Sequence, residues 1–362
     1  MIQRFLLFLI LGLSQFIYAQ SNDLARFFEV DTALAKKVDS IYGLLTEAEI
    51  VGQMMMPAVG RHGQSKEAIV KFIETNKIGG VLLLNGEKDE FKRFVHELDS
   101  IGVQSNALPF LYSADAEPSL IRYKIKNTSN VANANELKSS EEVKKTAMVI
   151  SNDLKDIGIN YNFAPVIDQG NENSAITNRS FGYNKDSIWV WSNTFIKTSQ
   201  GMGIIATAKH FPGHGLVVGD THKKLVFIDG ILKEVENYKP VIDQGVLSIM
   251  VGHIAVKNNP KYGTFGMPAT CSRKIVNELL KVELGFRGLV VTDAMNMGGV
   301  RDIENAAIKA VEAGCDILLM PVNLEQVVED IQTKMKQDQV FKERVEDAVK
   351  KIIRVKICLG LI

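Results

Sequence analysis

The chain has 362 residues, 46% of them hydrophobic, enough to fill the core of one large barrel or of two ordinary domains. Its 42 basic and 42 acidic side chains cancel, so no global field draws it to nucleic acid or to an anionic membrane, and nucleic acid is not expected as a partner.

In chain order the first element is a leader. Residues 1–4 are short and basic, residues 5–17 are almost wholly apolar, and Ile17-Tyr18-Ala19 precede Gln20. That is the layout of a secretory signal peptide, 1–19, cleaved after Ala19. The apolar run is broken by Ser14 and Gln15 and is shorter than the roughly 20 residues a spanning helix needs. Export to a periplasm or the exterior is expected, with no stable membrane insertion after cleavage.

From about Asp31, short apolar runs alternate with longer amphipathic stretches, the pattern of repeated β-α units. The runs 51–56, 80–84, 109–114, 159–164, 203–208, 246–253, 288–292 and 316–320 read as strands. Between and after them, 65–76, 139–156, 272–284, 304–314 and 341–359 read as helices with one apolar face. Eight such units predict an α/β fold, a (β/α)8 TIM-type barrel. No Ser/Gly/Pro-rich linker divides residues 20–362, so they are expected to form one catalytic domain. Cys271, Cys315 and Cys358 sit in segments that read as buried or helical, and free buried thiols are expected there.

In a barrel of this kind the active site forms at the C-terminal ends of the strands, and here those ends are polar. Asp115 and Glu117 follow the third run, and Asp168 and Asn178-Arg179-Ser180-Phe181-Gly182 follow the fourth. The fifth leads into Lys209-His210-Phe211-Pro212-Gly213-His214-Gly215 and then Asp220-Thr221-His222. The sixth ends at His253 and the seventh runs into Asp293. Four of the six histidines therefore map to one rim. A lone aspartate closing a strand is ordinarily a helix cap. Asp293 differs because a histidine-rich loop stands opposite it. Asp168 reads as a brace of the rim, while His214 and His253 are compatible with either a structural or a functional role. A metal is the rival explanation for clustered histidines. His210, His214 and His222 lack a compact ligand spacing, and Lys209 would place a positive charge beside the cation, so neither metal nor cofactor is expected.

At these residues the sequence resembles glycoside hydrolase family 3, in particular its bacterial β-N-acetylglucosaminidases. The markers are Asn162-Phe163-Ala164-Pro165-Val166-Ile167-Asp168, Asn178 through Gly182, Lys209 through Gly215, and Gly285-Phe286-Arg287-Gly288-Leu289-Val290-Val291-Thr292-Asp293. The resemblance implies Asp293 as nucleophile and His222, paired with Asp220, as acid/base. It implies Asp115, Arg179, Lys209 and His210 as holders of the terminal sugar, with Arg122, or Lys124 in competition with it, as a further contact. The implied reaction is retaining exo-hydrolysis of terminal β-N-acetylhexosamine from cell-wall or chitin-type saccharides, through a glycosyl-aspartate. The alternatives are a β-glucosidase, β-xylosidase or phosphorolytic relative of the same family, or a non-catalytic sugar-binding barrel. Retaining glycosidases ordinarily pair two carboxyl groups. A histidine suits the second role because its pKa lies near neutrality and a carboxylate partner fixes its ring. Two departures stand out. Where the family often has Asp-x-Glu-Gly-Gly-Arg, this chain has Asp115-Ala116-Glu117-Pro118-Ser119-Leu120, and the Asp-Thr that usually follows Gly-His-Gly is here Leu216-Val217.

Overall fold

The computed structural model describes residues 23–170 and 173–362; the leader 1–19 lies outside them. Seven parallel strand positions form one sheet, and an eighth completes a ring. In chain order they are Ala58–Gly60, Gly80–Leu84, Leu111–Ala114, Tyr161–Asn162, Ile205–Phe211, Ser248–Val251 and Leu289–Thr292, followed by Leu318–Leu319. Leu318–Leu319 pairs with Met55–Met56, just ahead of Ala58. A parallel bridge joins Val291 to Ile317 on one side of the seam. On the other side, Gly79 N donates to Met55 O at 3.1 Å and Leu82 N to Pro57 O at 2.9 Å. The chain is a TIM-type barrel, with its helices outside and one continuous apolar core running from Leu24 to Leu359.

The helices show why the amphipathic reading works. Ser140–Ile157 starts where the Ser139 hydroxyl accepts the Glu142 N–H and stops at Gly158, whose φ of 98° suits a residue without Cβ. Its buried stripe of Val143, Ala147, Ile150, Leu154 and Ile157 recurs at three- and four-residue spacing.

The first predicted strand, 51–56, differs. Residues Glu47–Gln53 form a helix, fixed by a reciprocal capping box between Thr46 and Glu49, and that local start signal overrides the apolar run. The strand begins only at Met55 and is interrupted at Pro57, which has no N–H for the ladder. Two further strands, Val226–Asp229 and Ile254–Lys257, pair in parallel at the rim. Beneath them Val217, Val226 and Ile254 make a small apolar cluster of their own. The Leu216-Val217 departure thereby gains a structural reason: Val217, 2% exposed, staples the loop it belongs to. Cys315 and Cys358 are buried and Cys271 half-buried, and all three are free thiols. No described helix is long and apolar enough to cross a membrane.

Candidate active site

A cavity of about 560 Å³ opens at the C-terminal end of the barrel. Asp115, Arg179, Lys209, His210, Asp220, His222 and Asp293 all line it. Its floor starts from Asn162, the first residue of the fourth strand's motif. The Asn162 side chain accepts the Ala116 N–H at 3.0 Å and donates to the Ala116 carbonyl at 3.2 Å, locking the peptide between Asp115 and Glu117.

Glu117 is fully buried and receives Arg179 bidentately, Nη2 to Oε1 at 2.7 Å and Nε to Oε2 at 2.8 Å. The Lys209 ammonium stands 2.6 Å from the same carboxylate and 2.9 Å from Asp115 Oδ1. Burial alone would push the Glu117 carboxyl up, but the two cations outweigh it and hold it well below the usual carboxylate range. Burial likewise opposes the charge on Lys209, and Asp115 and Glu117 more than restore it. Glu117 is therefore the central anion of the floor, a role its place in an altered motif did not reveal. The hint available in the sequence was an acid two residues after Asp115, matched by Arg179 and Lys209 in neighbouring motifs.

The same segment corrects one expectation. Arg122 turns away to bond Asn130 at 3.2 Å, while Lys124, from the same short helix Ile121–Lys124, lines the cavity. At about 100° per residue, two positions apart on a helical turn face nearly opposite ways. Leu120 lines the cavity where the family pattern has arginine, so the wall there is apolar. Ser119 accepts the Ala134 N–H at 2.9 Å and donates to the Asn178 carbonyl.

His210 is oriented from below. Asp168, buried, accepts both its backbone N–H and its Nδ1–H, the latter at 2.7 Å, and also the His214 N–H at 2.8 Å. Asp168 is thus a brace, as its position suggests. The glycines of the following loop have close neighbours. A Cβ on Gly213 would lie 2.5 Å from Glu234 Cβ, and one on Gly215 would lie 1.8 Å from the Gln169 carbonyl. Glu234 accepts the Gln169, Gly215 and Leu216 N–H groups at 2.7, 3.2 and 3.1 Å. Burial and the nearby Asp168 push its carboxyl up to about 8 against those three donors. Nothing in the sequence marked Glu234, which arrives from a separate short helix, Lys233–Asn237.

Asp293 follows strand Leu289–Thr292 directly and is half-buried at the cavity wall. Burial opposes its ionisation; His210 and the Ala294 N–H, at 2.8 Å from Oδ1, outweigh that and hold the carboxyl below its ordinary value. His253, fully buried, is spent between Thr270 Oγ1 at 2.9 Å and the Ala294 carbonyl at 3.0 Å, and burial drives it toward the neutral form. It supports the turn after Asp293 and does not line the cavity.

Asp220 and His222 meet: Oδ1 accepts the His222 Nδ1–H at 2.9 Å and its backbone N–H at 3.0 Å. Their loop lies on the turn after Asp293. Gly298 N donates to His222 O and Gly299 N to Thr221 O, both at 3.1 Å, and a Cβ on Gly298 would lie 2.4 Å from the Lys223 carbonyl. His62 and Asn85 also line the cavity, unmarked in the sequence because nothing around them carries a motif. Among the described residues, no group of three or more His, Cys, Asp or Glu side chains is placed to hold a metal ion.

A β-N-acetylglucosaminidase/β-glucosidase of Cellulomonas fimi is 30% identical over 306 residues, covering 78% of this chain and 53% of that protein. A β-hexosaminidase of Actinobacillus pleuropneumoniae serotype 5b (strain L20) is 32% identical over 204 residues, 54% of this chain and 58% of the relative. The chain thus spans about half the length of the curated relatives it matches. Among solved structures, a family 3 β-N-acetylglucosaminidase from Paenibacillus sp. str. FPU-7 superposes with a TM-score of 0.80 at 27% identity, over 88% of this chain and 63% of that one. A β-N-acetylhexosaminidase from Beutenbergia cavernae gives 0.77 at 26%, over 87% and 99%. Residues 46–355 match the model of the glycosyl hydrolase family 3 N-terminal domain, and the chain belongs to that family.

Proposed function

We propose that the chain is a retaining exo-glycosidase releasing terminal β-N-acetylglucosamine from cell-wall or chitin-type saccharides. The observation that carries this reading is the convergence of Asp293 and the Asp220–His222 pair on one cavity above the Glu117-centred floor. In the first step an Asp293 carboxylate oxygen attacks the anomeric carbon, the glycosidic C–O bond breaks, and the His222 Nε2 proton passes to the departing oxygen. In the second, water attacks the anomeric carbon, its proton goes to His222, and Asp293 leaves as carboxylate. Asp220 fixes the ring through Nδ1, leaving Nε2 for both transfers. Asp115, Lys209 and His210 supply polar contacts to sugar hydroxyls, and Lys124 replaces Arg122 as the added cation on the wall. The leader of residues 1–19 supports export to a periplasm or the exterior.

The double naming of the Cellulomonas relative favours β-glucosidase activity as a second reading. A panel of aryl β-N-acetylglucosaminides, glucosides and xylosides, run with and without phosphate, tests both. Release from the N-acetylglucosaminide should fall by about 10⁴-fold or more in Asp293→Ala. Turnover in that variant close to the unaltered protein's would sink the assignment, and a glucoside preferred over the N-acetylglucosaminide would shift it to the second reading.

A further inference from the structure

We propose that Asn173 is a positioning residue for proton transfer, a clamp that holds the loop bearing Asp220 and His222 against the nucleophile's turn. The reading rests on the acid/base assignment above.

Asn173 lies on the loop after the fourth strand and is 4% exposed. Its own segment fixes it: Oδ1 accepts the Ala175 N–H at 2.9 Å, and its carbonyl accepts the Ile176 and Thr177 N–H groups at 2.9 and 3.0 Å. With Oδ1 facing a donor, Nδ2 must face the acceptors, so the carboxamide has one orientation. Four acceptors stand around Nδ2, all on the acid/base loop. They are Val217 O at 2.8 Å, His214 Nδ1 at 3.0 Å, Gly219 O at 3.1 Å and His214 O at 3.2 Å. Three carbonyls and a ring nitrogen converging on a single amide need that donor, because inward-facing carbonyl dipoles without one repel.

The clamp continues through His214. With Nδ1 accepting, Nε2 carries the hydrogen and donates to Thr221 Oγ1 at 3.1 Å. Burial favours the neutral ring this requires. Thr221 lies between Asp220 and His222, and its carbonyl takes the Gly299 N–H beside the Asp293 turn. One buried amide thus reaches the dyad twice, directly at Gly219 and through His214 at Thr221. The segment that carries Asn173 ends at Arg179, which is held by Glu117, so the clamp is mounted on the rigid floor.

Asn173→Asp keeps the Oδ1 acceptor and the size but removes the donor. With a 2,4-dinitrophenyl glycoside, whose leaving group needs little protonation, kcat/KM is expected to stay within about threefold. Meanwhile kcat, limited by base-assisted hydrolysis of the glycosyl-enzyme, should fall about 10- to 100-fold. Azide, which attacks the anomeric carbon without needing a base and expels the Asp293 carboxylate, should restore turnover and yield the glycosyl azide. In a His222→Ala background the same substitution should add less than about threefold. Equal losses in kcat and kcat/KM without azide rescue, or full additivity with His222→Ala, would overturn the positioning role. Thr221→Val, isosteric and without the hydroxyl, should shift kcat the same way by less.

A readout independent of turnover separates this inference from the functional reading. Lys223 and Lys224 are exposed at the end of the loop, and tryptic cleavage there should accelerate about tenfold in folded Asn173→Asp. An unchanged cleavage rate overturns the clamp. Faster cleavage in the variant, with no glycosidase turnover in the unaltered protein, supports the clamp and overturns the acid/base reading alone.

Discussion

Within one cavity, the floor and the acid/base loop differ in how their charges are kept. The Glu117 and Lys209 side chains are 0% and 1% exposed and held in ion pairs, whereas the His222 side chain is 68% exposed and its Asp220 partner 37%. The floor is complete without a ligand, its buried charges mutually neutralised because an unpaired one would be prohibitive. The dyad stays in reach of water, as its proposed role of donating and recovering a proton requires. On the proposed function, the fixed part holds the sugar and the accessible part carries the proton.

His222→Ala should break the contrast at its catalytic end. Its removal is expected to lower kcat by about 10²- to 10⁴-fold, with glycosyl-enzyme accumulating in mass spectra of the working protein. Stability should change by less than about 0.5 kcal/mol, since the side chain is exposed. An unchanged kcat would remove the dyad from the account.

Glu117→Ala should do the reverse. Leaving Arg179 and Lys209 without their shared carboxylate should cost about 3–5 kcal/mol of stability by denaturant titration, with a raised KM that azide does not mend. Loss of kcat alone, with stability intact, would show that the floor is not the rigid element described.

The smallest effect sharpens the boundary between the two parts. Glu234 sits at the root of the loop, its folded-state pKa pushed up to about 8 from an ordinary 4.5. Between those values the folded protein keeps a proton that the unfolded chain has released, so this group makes stability fall as pH rises from about 4.5 to about 8. Glu234→Gln should flatten that slope in melting curves taken from pH 5 to 8; an unaltered slope would place the titration elsewhere.

Legibility in the sequence followed the range of the interactions involved. Gly80–Leu84 and Ser140–Ile157 lie where their periodicity predicts, because apolar runs, caps and a terminal glycine are local signals. Asp293, Lys209 and His210 were visible because a barrel places strand ends on one rim. Glu234 and Asn173 were not, since the loop groups they hold are 18 to 65 and 41 to 46 residues away respectively and neither belongs to a marked motif. Arg122 and Lys124 were separated only by helical phase, which a four-residue turn does not disclose from sequence. Val217 carried its meaning in reverse: a lost polar residue in one motif was a gained apolar contact with strands that the sequence reading did not include.

The salt-bridged floor also bears on how a ligand approaches. Arg179 and Lys209 are matched in number by Asp115 and Glu117, and Glu117 takes two of the guanidinium's three nitrogens while the third contacts the Ala175 carbonyl. Despite four formal charges, this part of the cavity sends almost no net field into solvent. For the uncharged saccharide proposed as substrate, capture here would gain nothing from long-range attraction and lose nothing to added salt, leaving encounter to diffusion and to short-range fit.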